Sequence, residues 1–124
     1  MSTSPLERLV SHGGTRLDAA TVDGFLAHKG PALVLFTGDP RHRAEAQDVA
    51  VVAQELARNA GTDVSIGVVD VEGDQALQQR FGVSVFPSVV FLRDGQKVSM
   101  VARVQDWAVY AQAASLWLPR RRSA

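Results

Sequence analysis

Residues 80–95 read RFGVSVFPSVVFLRDG, and this stretch decides the fold. It begins with the end of an amphipathic helix, which a glycine terminates. Pro87 then precedes an apolar run, Ser88–Arg93, and Asp94-Gly95 separates that run from a second one, Lys97–Arg103. Because Asp-Gly between two apolar runs is a strong hairpin signal, the stretch predicts a helix, a proline turn and an antiparallel β-hairpin, in that order.

Upstream of this stretch, helices and buried strands alternate. Ala32–Phe36 and Val64–Asp70 are mostly apolar runs, typical of strands covered on both faces. A long amphipathic helix is expected between them, at about Ala44–Asn59. Since βαβ crossovers require a parallel sheet centre, the order predicts an α/β sandwich whose mixed sheet ends in the hairpin and a terminal helix. The other predicted elements are a helix near Leu6–Val10, a strand at Thr15–Asp18, a helix at Thr21–His28 capped by Thr21, and a last helix after Asp106, with Val109, Tyr110, Ala113, Leu116 and Trp117 on its apolar face.

Length and composition fit one globular domain. The chain has 124 residues, 46% of them hydrophobic, and 13 basic residues balance 13 acidic ones. We expect a single domain over 1–124, with its core at about 6–118 and a frayed tail at 119–124. Zero formal charge gives no general attraction to nucleic acid, and neither a secretory signal nor a membrane-length apolar run is present, so the cytoplasm is the expected compartment.

The element order and residues 80–95 resemble the thioredoxin family. The resemblance implies a thioredoxin-like α/β/α sandwich, and it implies that the Phe86-Pro87 bond is cis and faces the functional site. The family's redox Cys-x-x-Cys lies between the first buried strand and the long helix. This chain has no cysteine at all, so thiol–disulfide chemistry cannot be carried over.

A narrower resemblance covers about Leu6 to Leu118. The pattern Gly38-Asp39-Pro40 followed by Glu45 and Asp48-Val49-Ala50, together with Asp106-Trp107-Ala108, is similar to the HupG/HyaE family of hydrogenase accessory proteins. That resemblance implies a non-catalytic chaperone in the maturation of membrane-bound [NiFe] hydrogenase. It also implies that the partner is the twin-arginine signal peptide of the small-subunit precursor, and other maturation proteins are possible partners.

Three carboxylates are candidate peptide-binding residues. Asp39, Glu45 and Asp48 lie in or just after the loop that follows the central strand. Ligands bind at this carboxyl end of the strands in open α/β sheets, and arginine meets carboxylates through two parallel hydrogen bonds. The alternative is that each carboxylate caps the following helix. An acid–base pair of Glu45 and Asp48 is a further reading, but neither a nucleophile nor metal-ligand spacing accompanies them.

Phe86, Pro87 and Ser88 form the second candidate peptide-binding surface. An extended ligand beside this turn would gain main-chain hydrogen bonds, whereas the alternative is that Pro87 only shapes the turn. Trp117 is predicted to be core. Trp107, on the first turn of the last helix, is read either as an exposed interaction anchor or, as is commoner for tryptophan, as partly buried. We expect no cofactor, metal site or catalytic residue. The competing functions are a docking scaffold that does not read a signal peptide, and a cysteine-free enzyme using the loop carboxylates or His42.

Overall fold

The computed structural model describes residues 4–11, 13–38, 41, 43–69 and 75–118. The predicted tail at 119–124 lies outside these residues. The strands are β1 (Thr15–Arg16), β2 (Pro31–Phe36), β3 (Ser65–Val69), β4 (Ser88–Arg93) and β5 (Gln96–Ala102). The helices are α1 (Pro5–Ser11), α2 (Val22–Leu26), α3 (Arg43–Arg58), α4 (Gln75–Phe81) and α5 (Trp107–Ala114).

The five strands form one mixed sheet in the order β1-β3-β2-β4-β5. β3 is parallel to both β1 and β2, whereas β4 is antiparallel to β2 and to β5. The predicted α/β class, parallel centre and terminal hairpin are therefore confirmed. β2 lies in the middle, and all six of its residues are buried, as its unbroken apolar run predicts.

Alternate residues of β2 enter two separate hydrophobic clusters. Leu33 and Leu35 pack with α1, α3 and α5, whereas Val34 and Phe36 pack with α2 and α4. This division follows from the two-residue repeat of a strand, whose successive side chains point to opposite faces. Helices consequently cover both faces of the sheet.

Tyr110 on α5 and Trp117, three residues beyond the end of that helix, are confirmed as core residues, both fully buried. The indole Nε1 of Trp117 donates to the carbonyl oxygens of Ala32 (3.1 Å) and Leu92 (2.9 Å), which are register partners in β2 and β4. Val109 and Leu116 were predicted on the same apolar face, and this is wrong because they are 42% and 67% exposed. Val109 precedes the buried Tyr110 by one position, which turns its side chain about 100° away around α5, and Leu116 lies beyond the end of that helix.

The predicted caps of α2 and α5 differ in detail from the structure. The predicted cap of α2, Thr21, makes no side-chain capping bond. Thr21 does occupy the N-cap position, and the Asp18 carboxylate orders the turn before the helix by accepting from the main-chain N–H groups of Ala20 and Thr21. Asp106 does occupy the N-cap position of α5, although its side chain makes no capping bond.

The predicted hairpin turn at Asp94-Gly95 is confirmed, and it is fastened to the chain before β2. Both residues have positive φ, 53° and 78°, as a two-residue hairpin of this kind requires. The Asp94 carboxylate accepts from the N–H of Gly30 at 2.7 Å, and the Asp94 N–H donates back to the Gly30 oxygen at 3.0 Å. A Cβ at position 95 would lie 2.5 Å from the carbonyl oxygen of Leu26, so only glycine fits this turn.

Candidate functional site

Four strand ends meet in a row at one edge of the sheet, called the carboxyl edge below. Phe36 pairs with Val69 on one side and with Ser88 on the other, and Ser88 pairs with Ala102. β2 and β3 therefore end where β4 begins and β5 ends. The predicted acidic loop and the predicted proline turn consequently belong to the same edge of the molecule.

The proline turn forms the inner part of this edge. The Phe86–Pro87 peptide bond is cis, as the thioredoxin resemblance implied. Pro87 and Ser88 are buried, and the Ser88 hydroxyl donates to the carbonyl oxygen of Val85 at 2.6 Å. Phe86 is half-buried and packs against the cluster that contains Phe36. The side chains of Pro87 and Ser88 thus shape the turn, and the surface beside it comes from neighbouring residues.

Glu45 lies on the first turn of α3 and is joined to the end of β5. Its carboxylate accepts two hydrogen bonds from the Arg103 guanidinium, from Nε to Oε2 and from Nη2 to Oε1, each 2.9 Å long. The two side chains are 35% and 50% exposed. This arrangement, the Glu45–Arg103 bridge, has the forked geometry in which a carboxylate binds a guanidinium best.

Arg103 also ties the bridge to the proline turn through its main chain. Its N–H donates to the carbonyl oxygen of Pro87 at 2.7 Å. Its own carbonyl oxygen accepts from the Tyr110 hydroxyl at 3.0 Å, and that hydroxyl accepts from the Gln105 N–H at 3.3 Å. Burial raises the pKa of Tyr110, and the Gln105 N–H bond, which stabilises the phenolate, lowers it by less.

The other two predicted carboxylates, Asp48 and Asp39, differ from Glu45. Asp48 is exposed, lies one turn beyond Glu45 on α3, and makes no ion pair with another described residue. Asp39 lies outside the described residues, as do Pro40 and His42. The structure therefore places Glu45 and Asp48 on one helix at the carboxyl edge, with only Glu45 bound to a partner.

Exposed apolar side chains flank the same edge. Val85 lies two residues before Pro87, and Val104 follows Arg103 directly; they are 43% and 40% exposed. Trp107 begins α5 and is 49% exposed. Sequence reasoning missed Arg103, Val85 and Val104, because the contacts that bring them together span residues distant in the chain.

The opposite edge of the sheet is called the amino edge below. A groove of about 460 Å³ lies there between α1, the end of α3 and the start of β3. Arg8, Gln54 and Arg58 line it together with apolar residues that include Val64 and Ile66. Arg58 is paired with Glu55 at 2.9 Å, so its charge is balanced within the chain.

The part of the chain that the structure describes contains no group of three or more His, Asp or Glu side chains placed to hold a metal ion. Among the same residues, no helix is both long and apolar enough to cross a membrane.

The fold and the absence of cysteine define a thioredoxin-like domain without redox thiols. A chain from the solved structure on the thiol-resolving mechanism of yeast mitochondrial 1-Cys peroxiredoxin via glutathione/thioredoxin systems has a similar fold. It superposes with a TM-score of 0.68 and 15% identity, over 85% of this chain and 97% of that one.

Sequence comparison narrows the class to one family. The family described as hydrogenase-1 expression protein HyaE matches residues 6–110. The hydrogenase expression/formation protein HupG of Bradyrhizobium diazoefficiens is 41% identical, over 92% of this chain and 80% of the relative. HoxO of Cupriavidus necator, also a hydrogenase expression/formation protein, is 40% identical over 86% and 68%. The chain therefore belongs to the HyaE family of hydrogenase expression/formation proteins.

Proposed function

We propose that this protein is a non-catalytic, cytoplasmic accessory protein of [NiFe] hydrogenase formation that binds the twin-arginine signal peptide of the small-subunit precursor. Asp39, Glu45 and Asp48 would meet the arginines. The surface beside Phe86, Pro87 and Ser88 would take the apolar stretch that follows. The membership of the HyaE family supports the hydrogenase role, and the chemistry of the carboxyl edge supports the peptide.

The observation that carries the proposal is the geometry of Glu45. This carboxylate already receives a guanidinium through two 2.9 Å bonds beside the proline turn. A site that can seat one arginine in this way is suited to an arginine of a ligand, because the fork of donors is the same. Asp48, exposed one turn away, is available for a second arginine.

Apolar surface next to the acidic residues fits the rest of such a peptide. Val85, Val104 and Trp107 are all at least two-fifths exposed, and exposed aromatic residues commonly anchor partners. A ligand carrying arginines before an apolar segment would match both parts of the edge.

The test is a titration with a twin-arginine peptide and with its Arg→Lys version. We expect the wild type to prefer the arginine peptide, because lysine cannot form the fork. The variant Asp39→Asn/Asp48→Asn should bind about five-fold or more weakly, since an exposed carboxylate–guanidinium pair is worth up to about 1 kcal/mol. Glu55→Gln, which removes an exposed carboxylate from the far end of α3, is the matched control and should bind as the wild type does. Equal affinity across all peptides and variants would refute the proposal.

A second function is favoured by the exposed apolar residues alone. Val85, Val104 and Trp107 could contact a folded partner without any signal peptide, which makes the protein a docking scaffold. Binding of the mature small subunit without its signal, undiminished in Asp39→Asn/Asp48→Asn and lost in Trp107→Ala, would favour this function over the first.

A further inference from the structure

Glu45 is occupied in the free protein by an arginine of the same chain. Both oxygens of its carboxylate accept from the Arg103 guanidinium, at 2.9 Å each. A ligand guanidinium that seeks the same two oxygens in the same plane cannot form its fork while Arg103 is in place. The candidate peptide site is therefore filled by its own side chain.

The backbone conformation of Arg103 would favour glycine, so the presence of an arginine indicates that its side chain has a role. Its φ is 65°, a left-handed conformation that glycine adopts freely and a side chain adopts at a cost. The main-chain bonds to Pro87 and from Tyr110 would serve glycine equally well. Non-glycine residues held in this region concentrate at functional sites, and the described partner that the Arg103 side chain gains here is Glu45.

The exposure of the bridge makes exchange feasible. Arg103 and Glu45 are 50% and 35% exposed, so water can solvate either group when the pair opens. Pairs that solvent reaches contribute little, whereas a dry pair would resist separation because each charge would be left buried. The end of β5 can therefore release Glu45 without unfolding the edge.

We propose that Arg103 is an internal competitor for the ligand arginine: it holds Glu45 in the free protein and gives it up to a guanidinium of the bound peptide. The proposal rests on the proposed function above. Such a competitor lowers the affinity of every ligand that uses Glu45 by one common factor. The complex with the peptide therefore dissociates readily, which suits an accessory protein that must release the precursor it has bound.

Arg103→Gly is the decisive variant, because glycine keeps the positive φ and removes only the competitor. We expect it to bind the twin-arginine peptide about two- to five-fold more tightly, the factor that corresponds to an exposed ion pair. The gain should vanish in Arg103→Gly/Glu45→Gln, where no carboxylate is left to be freed. Arg58→Ala, which removes another exposed, ion-paired arginine, is the matched control and should leave the affinity unchanged.

A measurement on the wild type complements the variants. The Arg103 Nε–H should exchange slowly with water in the free protein and rapidly when the peptide is saturating, as followed by NMR of the arginine side chains. Thermal unfolding of Arg103→Gly checks that the fold is retained.

The outcomes separate the two proposals. If the wild type binds the peptide and Arg103→Gly binds equally or more weakly, Arg103 is a brace or a ligand contact, and only the competitor proposal is overturned. If neither protein binds the peptide, the proposed function fails and the competitor proposal fails with it.

Discussion

The two edges of the sheet are joined by the same terminal segment and yet are built differently. At the amino edge, the Trp117 indole is fully buried and bonded to two strand carbonyls, and the Asp94-Gly95 turn is fastened to Gly30. At the carboxyl edge, Tyr110 holds a loop in which Arg103 has a positive φ and half its side chain in solvent. At the first edge the terminal segment is anchored by a buried indole whose bonds are also buried, whereas at the second edge the bonds of the Tyr110 hydroxyl are partly buried and the Glu45–Arg103 bridge is exposed.

This difference separates stability from binding. Buried apolar area and satisfied buried polar groups dominate stability, so the amino edge should carry more of the free energy of unfolding. Half-exposed ion pairs contribute little to stability but remain available for exchange. The carboxyl edge can consequently serve a ligand without putting the fold at risk.

The largest expected effect is at the amino edge. Trp117→Ala should lower the free energy of unfolding by about 3–5 kcal/mol, because it empties a site filled by a fully buried ring. The Trp117 and Phe91 rings pack edge to face with their centroids 5.2 Å apart, and the variant loses this contact as well. Urea denaturation followed by circular dichroism measures the change. Trp107→Ala, on an exposed tryptophan of the neighbouring helix, is the control and should shift stability by less than about 0.5 kcal/mol; similar losses in both would break the comparison.

A smaller effect is expected where α5 reaches the carboxyl edge. Tyr110→Phe keeps the buried ring but removes the hydroxyl that joins Arg103 and Gln105. The loss should be about 1 kcal/mol, the usual net contribution of a hydrogen bond, since this bond is only partly buried. Hydrogen exchange of the Gln105 N–H should accelerate relative to wild type. Unchanged stability and unchanged exchange would show that the hydroxyl does not hold this loop.

The smallest effect depends on pH. Because burial raises the pKa of Tyr110, the unfolded chain releases this proton first, near its ordinary value of about 10. Below that pH the folded and unfolded tyrosines are both protonated, and the stability advantage of wild type over Tyr110→Phe is constant. As the pH rises towards the folded pKa, the advantage shrinks. Unfolding curves for both proteins from pH 8 upwards measure it, and a difference that stays constant throughout would contradict the raised pKa.

The sequence was sufficient for the fold because its signals are local. The unbroken apolar run of β2, the Asp-Gly turn and the helical periodicity of α3 each act over a few residues. The same reasoning wrongly placed Val109 and Leu116 on the buried face of the predicted last helix. In a sequence, an apolar residue one position away from the buried face is hard to distinguish from one that lies on it. For the site, sequence reasoning found Glu45 and Asp48 at the carboxyl edge but not Arg103. The separation of 58 positions between Glu45 and Arg103 leaves no periodic or local signal for their contact.

The position of β2 has a consequence for synthesis. Its partner β3 follows about 30 residues later, but β4, which pairs along the other side of β2, begins only at Ser88. In a chain emerging from the ribosome, one side of this wholly apolar segment therefore has no strand to pair with while more than 50 further residues are synthesised. Open apolar edges recruit other chains, so the interval between β2 and β4 is the stage at which the nascent protein has most need of a folding helper.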